Sequence, residues 1–514
     1  MYLIKNISCR VSERIDLRNL INRKFGITLE QITKVETLRR SIDARKRNNL
    51  RYNFTLLAEL TGNLPTSPDI TQYDNPLPYL KPDVSLSDAN PFIIGAGPAG
   101  LFAALALVEK GFQPHIFERG ESVEDRTKTV HQFWTTGKLN PESNVQFGEG
   151  GAGTFSDGKL TSRSSDFYTN YILNQLIQYG APKSILFDSL PHIGTDGLMK
   201  VVMGLRSYLE EKGCKFFWNH KLEDLEITNG KITSVTIKGT TYKPEIVVLA
   251  IGNAARDTFR MLNEKITLSA KPFAVGFRIE HRQEFINTAF YGDKAPIRLT
   301  GPASYRLTAK HAGKGIFSFC NCPGGEIVGA ASELGGVVTN GMSNSSRNGD
   351  FANSAIVTTV NENDFGTDPL AGMKFQEKIE QAAYNEEVPF AAPSQAAIEY
   401  VKNKLTSKPV RTTYHPGGYP LNLNELFPQQ VNDALKTGLR HFEKIRPNFM
   451  KYGKLVGPET RTSSPIRMER DRDTFLASGI SNLYPLGEGS GFAGGIVSSA
   501  ADGYKAMQKI KSNI

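Results

Sequence analysis

The sequence predicts an α/β fold whose central parallel sheet is assembled from separated parts of the chain. Three junctions predict it, and each is a short apolar run that leads directly into a glycine-rich turn. The junctions lie at residues 92–100, 246–257 and 483–496. Short apolar runs bounded by such turns are typical of buried parallel strands. We expect the second and third turns to return to the site formed by the first, at the ends of the strands.

The first junction contains the most complete motif. After the apolar run 92–94, Gly95, Gly97 and Gly100 follow at G-x-G-x-x-G spacing, and an Ala- and Leu-rich helix is predicted for residues 101–110. Gly95 permits a tight turn, Gly97 lets a pyrophosphate approach the backbone, and Gly100 lets helix and strand pack closely. The helix N-terminus attracts phosphate. A second strand, predicted for residues 114–117, ends at Glu118, whose carboxylate can accept hydrogen bonds from an adenosine ribose. This order of elements indicates dinucleotide binding in a Rossmann-like domain.

Composition limits the class of protein. A chain of 514 residues should form two to three domains. No apolar run approaches the roughly 20 residues of a membrane span, and the N-terminus lacks the apolar core of a signal peptide. Four scattered cysteines are too few for a disulfide framework. We therefore expect a cytoplasmic protein without a membrane partner.

The net charge of +9 is concentrated at the N-terminus, because residues 1–60 contain 13 Lys and Arg against 6 Asp and Glu. This stretch predicts a small α/β module with a helix at residues 17–25 capped by Asp16. A basic cluster occupies residues 39–47. A basic module with aromatic residues could bind nucleic acid, but charge runs usually stay solvated. The favoured interpretation is a solvated face, or one that packs against the next domain.

Glycine spacing, helix caps, turn residues and polarity predict several further elements. Residues 148–153 also have G-x-G-x-x-G spacing, but no apolar helix follows, so we expect a glycine-rich loop that approaches something flat or anionic. A helix is predicted at 195–212 with Thr195 or Asp196 as its cap, and a type I′ hairpin at Asn229-Gly230. A loop is expected at 340–353, an amphipathic helix at 429–444 and an apolar helix at 497–510. Glu488 follows the last strand and could hold a ribityl hydroxyl or a water linked to the pyrophosphate.

The three junctions together resemble the FAD-binding signature of the two-dinucleotide-binding-domain-like flavoproteins, which have a glutathione-reductase-type Rossmann fold. More narrowly, the chain resembles a bacterial family of FAD-dependent dehydrogenases nearly from end to end. The segments that carry this resemblance are long and specific. They are residues 41–46 (SIDARK), 150–160 (GGAGTFSDGKL), 192–196 (HIGTD), 319–325 (FCNCPGG), 339–343 (TNGMS), 459–466 (ETRTSSPI) and the closing glycine motif.

The resemblance implies a non-covalent FAD stretched across the first domain. The residues implied around the pyrophosphate are Gly95, Ala96, Gly97, Pro98, Ala99 and Gly100. Glu118 and Arg119 would hold the adenosine ribose, and the backbone of Leu222 would contact adenine. The residues implied at the middle and flavin end are Gly150, Gly151, Lys159, Leu160, Gly252, Gly487, Glu488, Gly494, Gly495 and Ile496. Only one nucleotide domain is complete, so NAD(P)H would bind only transiently, as a reductant, in an inserted domain.

The predicted domain organisation follows from these motifs. Residues 1–62 form the small basic module, which is expected to be ferredoxin-like, and residues 63–90 form a Pro-rich linker. Residues 91–266 and 456–514 form the discontinuous FAD-binding domain. Residues 267–455 form an inserted α+β substrate or cap domain.

The sequence offers three groups of candidate catalytic residues. Cys320 and Cys322 could pass electrons by thiol–disulfide exchange, but no charged neighbour in the sequence lowers either pKa, and two buried small hydrophobes remain the alternative. Arg461 with residues 462–464 could bind substrate, or could equally satisfy loop backbone groups. His192 or His415 could be a general acid or a structural histidine. No metal site is predicted, because the two cysteines lack further ligands.

These inferences favour an FAD-dependent oxidoreductase, a dehydrogenase or reductase that passes a hydride or electrons between FAD and a small-molecule substrate. The motifs specify neither that substrate nor an oligomeric state. Two alternatives stay open. One is an FAD-dependent RNA-modifying or RNA-binding protein that uses the basic module, and the other is a non-catalytic flavin redox sensor.

Overall fold

The structure is a computed structural model that describes residues 1–73, 90–161, 166–404 and 410–510. Its first 73 residues form an antiparallel sheet with one helix, here called the N-terminal module. The elements are β1 (Tyr2–Arg10), α1 (Leu17–Phe25), β2 (Ile32–Asp43), β3 (Arg51–Leu60) and β4 (Ile70–Gln72). The sheet order β2-β3-β1-β4 is that of a ferredoxin-like fold. Residues 61–69 cross back without a helix, where a complete ferredoxin-like fold has its second one.

In this module the structure bears on two predictions made from the sequence. Asp16 caps α1 as predicted, since its carboxylate accepts a hydrogen bond from the Asn19 amide at 3.1 Å. The predicted Pro-rich linker 63–90 overlaps the sheet of this module, because Ile70–Gln72 pairs with β1. Residues 74–89 of that linker lie outside the described residues.

The next part of the chain contains the strands and helices of the predicted nucleotide-binding domain. In chain order the elements are β5 (Phe92–Ile94), α2 (Pro98–Glu109), β6 (His115–Phe117), α3 (Val123–Thr136), α4 (Phe167–Gln178), α5 (Gly194–Glu211), β7 (Lys215–Phe217), β8 (Leu222–Thr228), β9 (Lys231–Ile237), β10 (Thr240–Tyr242), β11 (Val247–Leu249), α6 (Arg256–Asn263) and β12 (Leu268–Ala270).

The remaining elements belong to the predicted inserted domain and to the C-terminal return of the chain. They are β13 (Phe273–Arg282), α7 (Gln283–Phe290), α8 (Ile297–Thr300), β14 (Thr308–His311), β15 (Lys314–Cys322), β16 (Glu326–Gly329), β17 (Thr339–Met342), β18 (Phe351–Val360), α9 (Glu362–Phe365), α10 (Ala371–Ala382), β19 (Ala392–Ala396), α11 (Ala397–Val401), β20 (Gly418–Pro420), α12 (Gln429–Ile445), α13 (Phe449–Tyr452), β21 (Lys454–Glu459), β22 (Ile466–Met468), β23 (Leu483–Pro485) and α14 (Ile496–Gln508).

The three predicted junctions are adjacent in one parallel sheet of order β23-β11-β5-β6-β7. Val247 lies opposite both Phe92 and Leu483 in register. The carboxyl ends of β5, β11 and β23 therefore meet at one edge, where the three glycine turns begin. This arrangement confirms the predicted α/β class and its Rossmann-like sheet, which forms from discontinuous segments.

Helix α14 packs onto α2 at very close range. A Cβ added at Gly503 would overlap the carbonyl oxygen of Ala99, and one added at Gly487 would lie 2.6 Å from the Ala99 Cβ. Helix α2 is correspondingly buried along its length, from Ala99 to Leu107. Small residues at these contacts thus join the last segment of the chain to the first glycine motif.

The second large layer is a seven-stranded sheet of order β14-β15-β18-β13-β21-β19-β20. All neighbours are antiparallel except β19 and β20. Helix α12 covers this sheet with its apolar face, and Gly438 faces Ile316 of β15 there. Strand β21 crosses the predicted domain boundary at residue 455, so the sheet extends a few residues beyond it.

The N-terminal module shares one continuous apolar core with the seven-stranded sheet. Tyr52 donates a hydrogen bond to the Leu299 carbonyl at 2.6 Å. Arg40 also reaches the parallel-sheet part of the chain, since its side chain lies 2.8 Å from the Asp188 carboxylate and its amide donates to the Phe187 carbonyl. One residue of the basic cluster thus packs against the next domain.

Two local predictions were wrong. Helix α5 begins at Gly194, and neither Thr195 nor Asp196 caps it, because the Asp196 carboxylate accepts instead from the Ser345 amide at 2.7 Å. The loop expected at 340–353 is shorter, since both of its ends belong to strands β17 and β18.

Candidate functional site

The first glycine motif forms a turn whose three glycines do different work. Gly95 has a left-handed φ of 109°, and a Cβ there would overlap the Ala250 carbonyl oxygen. A Cβ on Gly100 would overlap the carbonyl oxygen of Gly95. A Cβ on Gly97 would meet only the Gly151 Cα, at an ordinary 3.8 Å. Protein packing therefore requires glycine at positions 95 and 100, while position 97 faces open space.

Gly97 is also the N-cap of α2, and no side chain caps that helix end. Its backbone is extended, with φ −77° and ψ −178°. An uncapped helix N-terminus presents N–H donors and a partial positive charge. The open position at Gly97 beside these donors fits a phosphate group.

Glu118 lies at the end of β6 and braces this turn. One carboxylate oxygen accepts from the Ala96 amide at 2.8 Å, and the other accepts from the amides of Gly120 and Gly148, both at 2.9 Å. Each carboxylate oxygen has two lone pairs, so the oxygen facing Ala96 retains acceptor capacity for a ribose hydroxyl. The predicted ribose contact stays a prediction, and the structure adds a role in holding three loops together.

Arg119 lies 2.9 Å from both the Glu142 and the Asp257 carboxylates, and its guanidinium stacks 3.9 Å above the Phe147 ring. Burial alone would lower its pKa, but the two carboxylates outweigh burial and raise it. Lys221, next to Leu222, pairs with the same two carboxylates. The residues expected at the adenosine end are thus neighbours in space.

The glycine-rich loop after residue 148 contacts the first glycine turn and the start of α14. The Gly150 amide donates to the Ala96 carbonyl at 2.8 Å, and a Cβ on Gly151 would lie 3.3 Å from the Gly97 Cα. Residues Gly151–Phe155 form a short 3₁₀ helix. A Cβ on Gly153 would lie 2.8 Å from the Ile496 side chain. This loop therefore connects the first turn to the start of α14.

The closing motif contributes a half-buried carboxylate and a second uncapped helix end. Glu488 accepts a hydrogen bond from Asn253 at 3.0 Å, and burial, partly offset by Lys271, raises its pKa to about 7. Gly495 is the extended N-cap of α14, which no side chain caps. A Cβ on Gly252 or Gly494 would meet nothing within 4 Å.

These residues fit an FAD. They offer open glycine positions at 97, 252 and 494 and uncapped helix ends at Gly97 and Gly495, along one edge of the parallel sheet. Anionic phosphates match the first helix end, and a ring that gains negative charge on reduction matches the second. Gly95, Gly97, Glu118, Gly151, Glu488 and Ile496 would hold the cofactor, which supplies two-electron redox chemistry when it is bound.

The candidate cysteines lie in a buried cluster of charges, which corrects the expectation that no charged group is near them. The Lys159 ammonium lies 3.8 Å from both sulfurs, and the Arg278 guanidinium lies 3.8 Å from the Cys322 sulfur. Asp157 pairs with Lys159 at 3.0 Å, and Glu459 pairs with Arg278 at 2.9 Å. Burial, partly offset by Arg278, raises the pKa of Glu459 to about 7.

Other members of this cluster were not found from the sequence. Arg347 and Ser343 both contact the Asp157 carboxylate, and the Arg278 side chain also donates to the Asn353 amide oxygen at 2.8 Å. The available signal was a charged residue within the apolar strand pattern 273–279, which contains Arg278. A charge in such a pattern calls for a buried partner.

The remaining candidates have structural partners. Arg461 donates to the Glu380 carboxylate at 3.0 Å and to Ser332 at 2.5 Å. The Thr462 hydroxyl donates to the Ala274 carbonyl at 2.8 Å, as the loop alternative expects. His192 lies 3.3 Å from the Ser345 carbonyl oxygen, and burial lowers its pKa. His415 is exposed.

No group of three or more His, Cys, Asp or Glu side chains in the described ranges of the chain could hold a metal ion. Within the same ranges, no helix has the length and apolar character needed to cross a membrane.

Comparison with known proteins agrees with the site. Residues 272–462 match a family described as FAD-dependent protein, C-terminal domain-like, and residues 93–135 match an NAD(P)-binding Rossmann-like domain. Residues 1–59 match a domain of unknown function. An uncharacterised protein of Clostridium beijerinckii is 40% identical over 526 residues, which cover 99% of this chain and 98% of the relative. The chain belongs to a family of FAD-dependent flavoproteins.

Solved structures resemble this flavoprotein only distantly. CtdE in complex with FAD has a TM-score of 0.33 at 10% identity, covering 83% of this chain and 86% of its own. A geranylgeranyl bacteriochlorophyll reductase-like protein of Thermoplasma acidophilum has a TM-score of 0.36 at 12% identity, with coverages of 82% and 77%. A triple mutant of the flavin-dependent brominase Bmp2 has a TM-score of 0.37 at 10% identity and 82% coverage of both chains. These likenesses are too distant to inform the chemistry.

Proposed function

We propose that this flavoprotein is an oxidoreductase that binds FAD non-covalently in the glutathione-reductase manner and uses it to oxidise or reduce a small molecule. The observation that carries the proposal is the shared edge of β5, β11 and β23, where three glycine turns and two uncapped helix N-termini meet. A fold alone would not support an activity. A built cradle for a dinucleotide with a flat redox ring does support one.

The chain's own residues would divide the binding as follows. The α2 N-terminus would hold the pyrophosphate above Gly97, and Glu118 would accept from the adenosine ribose. Glu488 would accept from a ribityl hydroxyl, since one of its oxygens already faces Asn253. The α14 N-terminus, at Gly495, would stabilise negative charge on the reduced ring.

Substrate would reach the site at the boundary with the seven-stranded sheet. The approach of Gly153 to Ile496 supports this location, because the chain continues from Gly153 to Lys159 within six residues. NADH or NADPH is the proposed reductant, binding transiently because the structure describes one Rossmann-like sheet. The proposed location is the cytoplasm.

The test is an anaerobic absorbance titration of the purified holoprotein with NADH and then with NADPH. Bleaching of the flavin band by either nucleotide is the expected result. A flavin band that both leave intact, but that dithionite bleaches, would overturn the nicotinamide part alone. Failure to bind FAD under any condition would overturn the whole proposal. Gly97→Val is the matched negative control, because its side chain would occupy the phosphate position.

RNA binding by the N-terminal module is a second candidate function. Arg39, Lys46 and Arg47 are exposed, which favours it. Arg40 and Arg45 already pair with Asp188 and Asp43, which leaves fewer cations for phosphate. A steep salt dependence of RNA binding, lost on charge reversal at Arg39, would support this function.

A non-catalytic redox sensor is a third candidate, favoured by the charged surroundings of Cys320 and Cys322. A flavin that no nicotinamide reduces, combined with reversible oxidation of the two cysteines, would support it. Rapid turnover with a small-molecule acceptor would speak against it.

A further inference from the structure

Cys320 and Cys322 lie at an irregularity in strand β15. Phe319 pairs with Ala355 and Cys322 pairs with Asn353, so three steps on β15 face two on β18. Cys320 sits in this bulge with a left-handed φ of 45°, which is unusual for a residue with a side chain. Bulges redirect side chains. Here the bulge brings both sulfurs to the same ammonium group, 3.8 Å from Lys159 Nζ in each case.

The charges around the pair favour one thiolate. A hydrogen bond from the Cys322 thiol and the positive charges of Lys159 and Arg278 lower the pKa of Cys320 well below its usual range, against the effect of burial. The same hydrogen bond and burial raise the pKa of Cys322. A low-pKa thiolate beside a protonated thiol is the arrangement found where a cysteine pair exchanges electrons.

The two cysteines differ in their exposure to solvent. Cys322 is fully buried, whereas Cys320 is partly exposed and follows Phe319, an exposed aromatic side chain. Lys159 is 31% exposed at its side chain, so the cluster opens on that side. The remaining cysteines, Cys9 and Cys214, are buried, and burial raises the pKa of each.

Chain continuity links the cluster to the proposed cofactor site. Lys159 ends the segment that starts with Gly150 and Gly151, which touch the first glycine turn. Between them, Gly153 contacts the first residue of α14, Ile496. One loop of about ten residues therefore contacts the pyrophosphate turn, the helix end proposed for the flavin ring and both sulfurs.

We propose that Cys320 and Cys322 form a redox-active pair that exchanges two electrons with the flavin. The proposal rests on the proposed function, which supplies oxidised flavin as the electron acceptor. In the oxidative direction, the Cys320 thiolate and the Cys322 thiol form one S–S bond and release one proton and two electrons. The electron pair and the proton pass to the oxidised flavin, which becomes reduced. In the reverse direction, reduced flavin returns them to the disulfide, which gives the thiol, the thiolate and oxidised flavin. Charge and protons balance in both directions.

The experiment counts thiols and electrons in the same anaerobic titration of the air-oxidised holoprotein with dithionite. We expect about two electron pairs per flavin before the band is fully bleached, one for each redox group. Alkylation and mass spectrometry before and after titration should show a gain of two free thiols, both in the peptide that contains residues 320–322. Cys320→Ser and Cys322→Ser should each reduce the uptake to one pair. Cys214→Ser is the matched control and should keep the wild-type uptake.

The outcomes separate the two proposals. If the wild type takes up only one electron pair per flavin and both thiols are free throughout, the cysteine proposal is overturned and the flavin proposal stays intact. A preparation that binds no flavin overturns both. The cysteine proposal is supported if wild type and Cys214→Ser both gain two thiols on reduction. Cys320→Ser and Cys322→Ser must then lose this gain while they keep the wild-type flavin content. If Cys322→Ser fails to fold, the more accessible Cys320→Ser alone still decides the electron count.

Discussion

A Cβ on Gly100 would overlap the carbonyl oxygen of Gly95, whereas a Cβ on Gly97, three residues earlier, would make one ordinary contact. The two glycines of one motif thus have different surroundings. Gly100 is fixed by the protein's own packing of α2 against β5. Gly97 has open space within the protein, so we attribute the glycine there to the proposed cofactor.

We therefore predict opposite phenotypes for two matched substitutions. Gly97→Ala should leave the free energy of unfolding of the apoprotein within about 1 kcal/mol of wild type but weaken FAD binding at least about tenfold. Gly100→Ala should destabilise the apoprotein by about 2 kcal/mol or more, because overpacking strains the backbone. Urea unfolding of apoprotein and fluorescence titration with FAD measure both quantities. Equal loss of stability in the two variants would contradict this division of roles.

Lys159 should control the reactivity of Cys320. Replacing Lys159 with Met removes a positive charge 3.8 Å from the sulfur, so the pKa of Cys320 should rise by about one unit or more. Alkylation rates with iodoacetamide, followed against pH by peptide mapping, should show a midpoint shifted upward. Lys221→Met is the control, because Lys221 pairs with Glu142 and Asp257 instead. An unshifted midpoint in Lys159→Met would rule out electrostatic control by this lysine.

Arg461 is expected to be a structural residue. It shares the Glu380 carboxylate with Arg256, which donates to both carboxylate oxygens at 2.8 Å. Burial would raise the pKa of Glu380, but the two guanidiniums reverse the effect and lower it to about 2. Arg461→Met should therefore destabilise the protein by about 3 kcal/mol at neutral pH, since a buried charge loses a partner.

The pH dependence follows from the same carboxylate. Its folded pKa is depressed below the ordinary value of 4.5, so its contribution is complete above that pH and is lost as the pH falls toward about 2. In Arg461→Met the folded pKa rises, so acid unfolding should begin at a higher pH. Arg282→Met, at an exposed and loose ion pair, is the control. Full stability combined with lost turnover would restore Arg461 as a catalytic candidate.

The elements that were predicted correctly are those that depend on a local sequence pattern. Strands β5, β11 and β23, the Asp16 cap and the Asn229-Gly230 turn each depend on residues close in sequence, and glycine spacing carried the cofactor site. The charged cluster depends on tertiary contacts instead. Lys159 is 161 residues from Cys320, so no window of sequence contains both. The prediction of the α5 cap was wrong for the same reason, because the Asp196 carboxylate accepts from a backbone amide 149 residues away.

Arg40 should hold the N-terminal module against the parallel-sheet domain. Its backbone exchanges hydrogen bonds with Phe187 and Ser189, while its side chain pairs with Asp188. Arg40→Glu places like charges together and should weaken docking by about 1 kcal/mol, a modest value because both side chains are about one-third exposed. Hydrogen exchange should show faster exchange of the Ser189 amide. Arg39→Glu, on the exposed side of the strand, should leave that amide protected, and identical exchange in both variants would contradict the docking role.

Glu488 should make FAD affinity depend on pH. Its raised pKa of about 7 means that it ionises as the pH rises through neutrality. The ionised carboxylate is the stronger acceptor for a ribityl hydroxyl, so FAD should bind more tightly at about pH 8 than at about pH 6, by at most about tenfold per pH unit. Binding would then lower the pKa of Glu488, because the bound hydroxyl stabilises the charged form. Glu488→Gln keeps the shape and the Asn253 neighbour but cannot ionise, so its affinity should be flat over this range. Equilibrium dialysis of FAD at several pH values measures both profiles. A wild-type profile as flat as that of Glu488→Gln would mean that this carboxylate does not contact the cofactor.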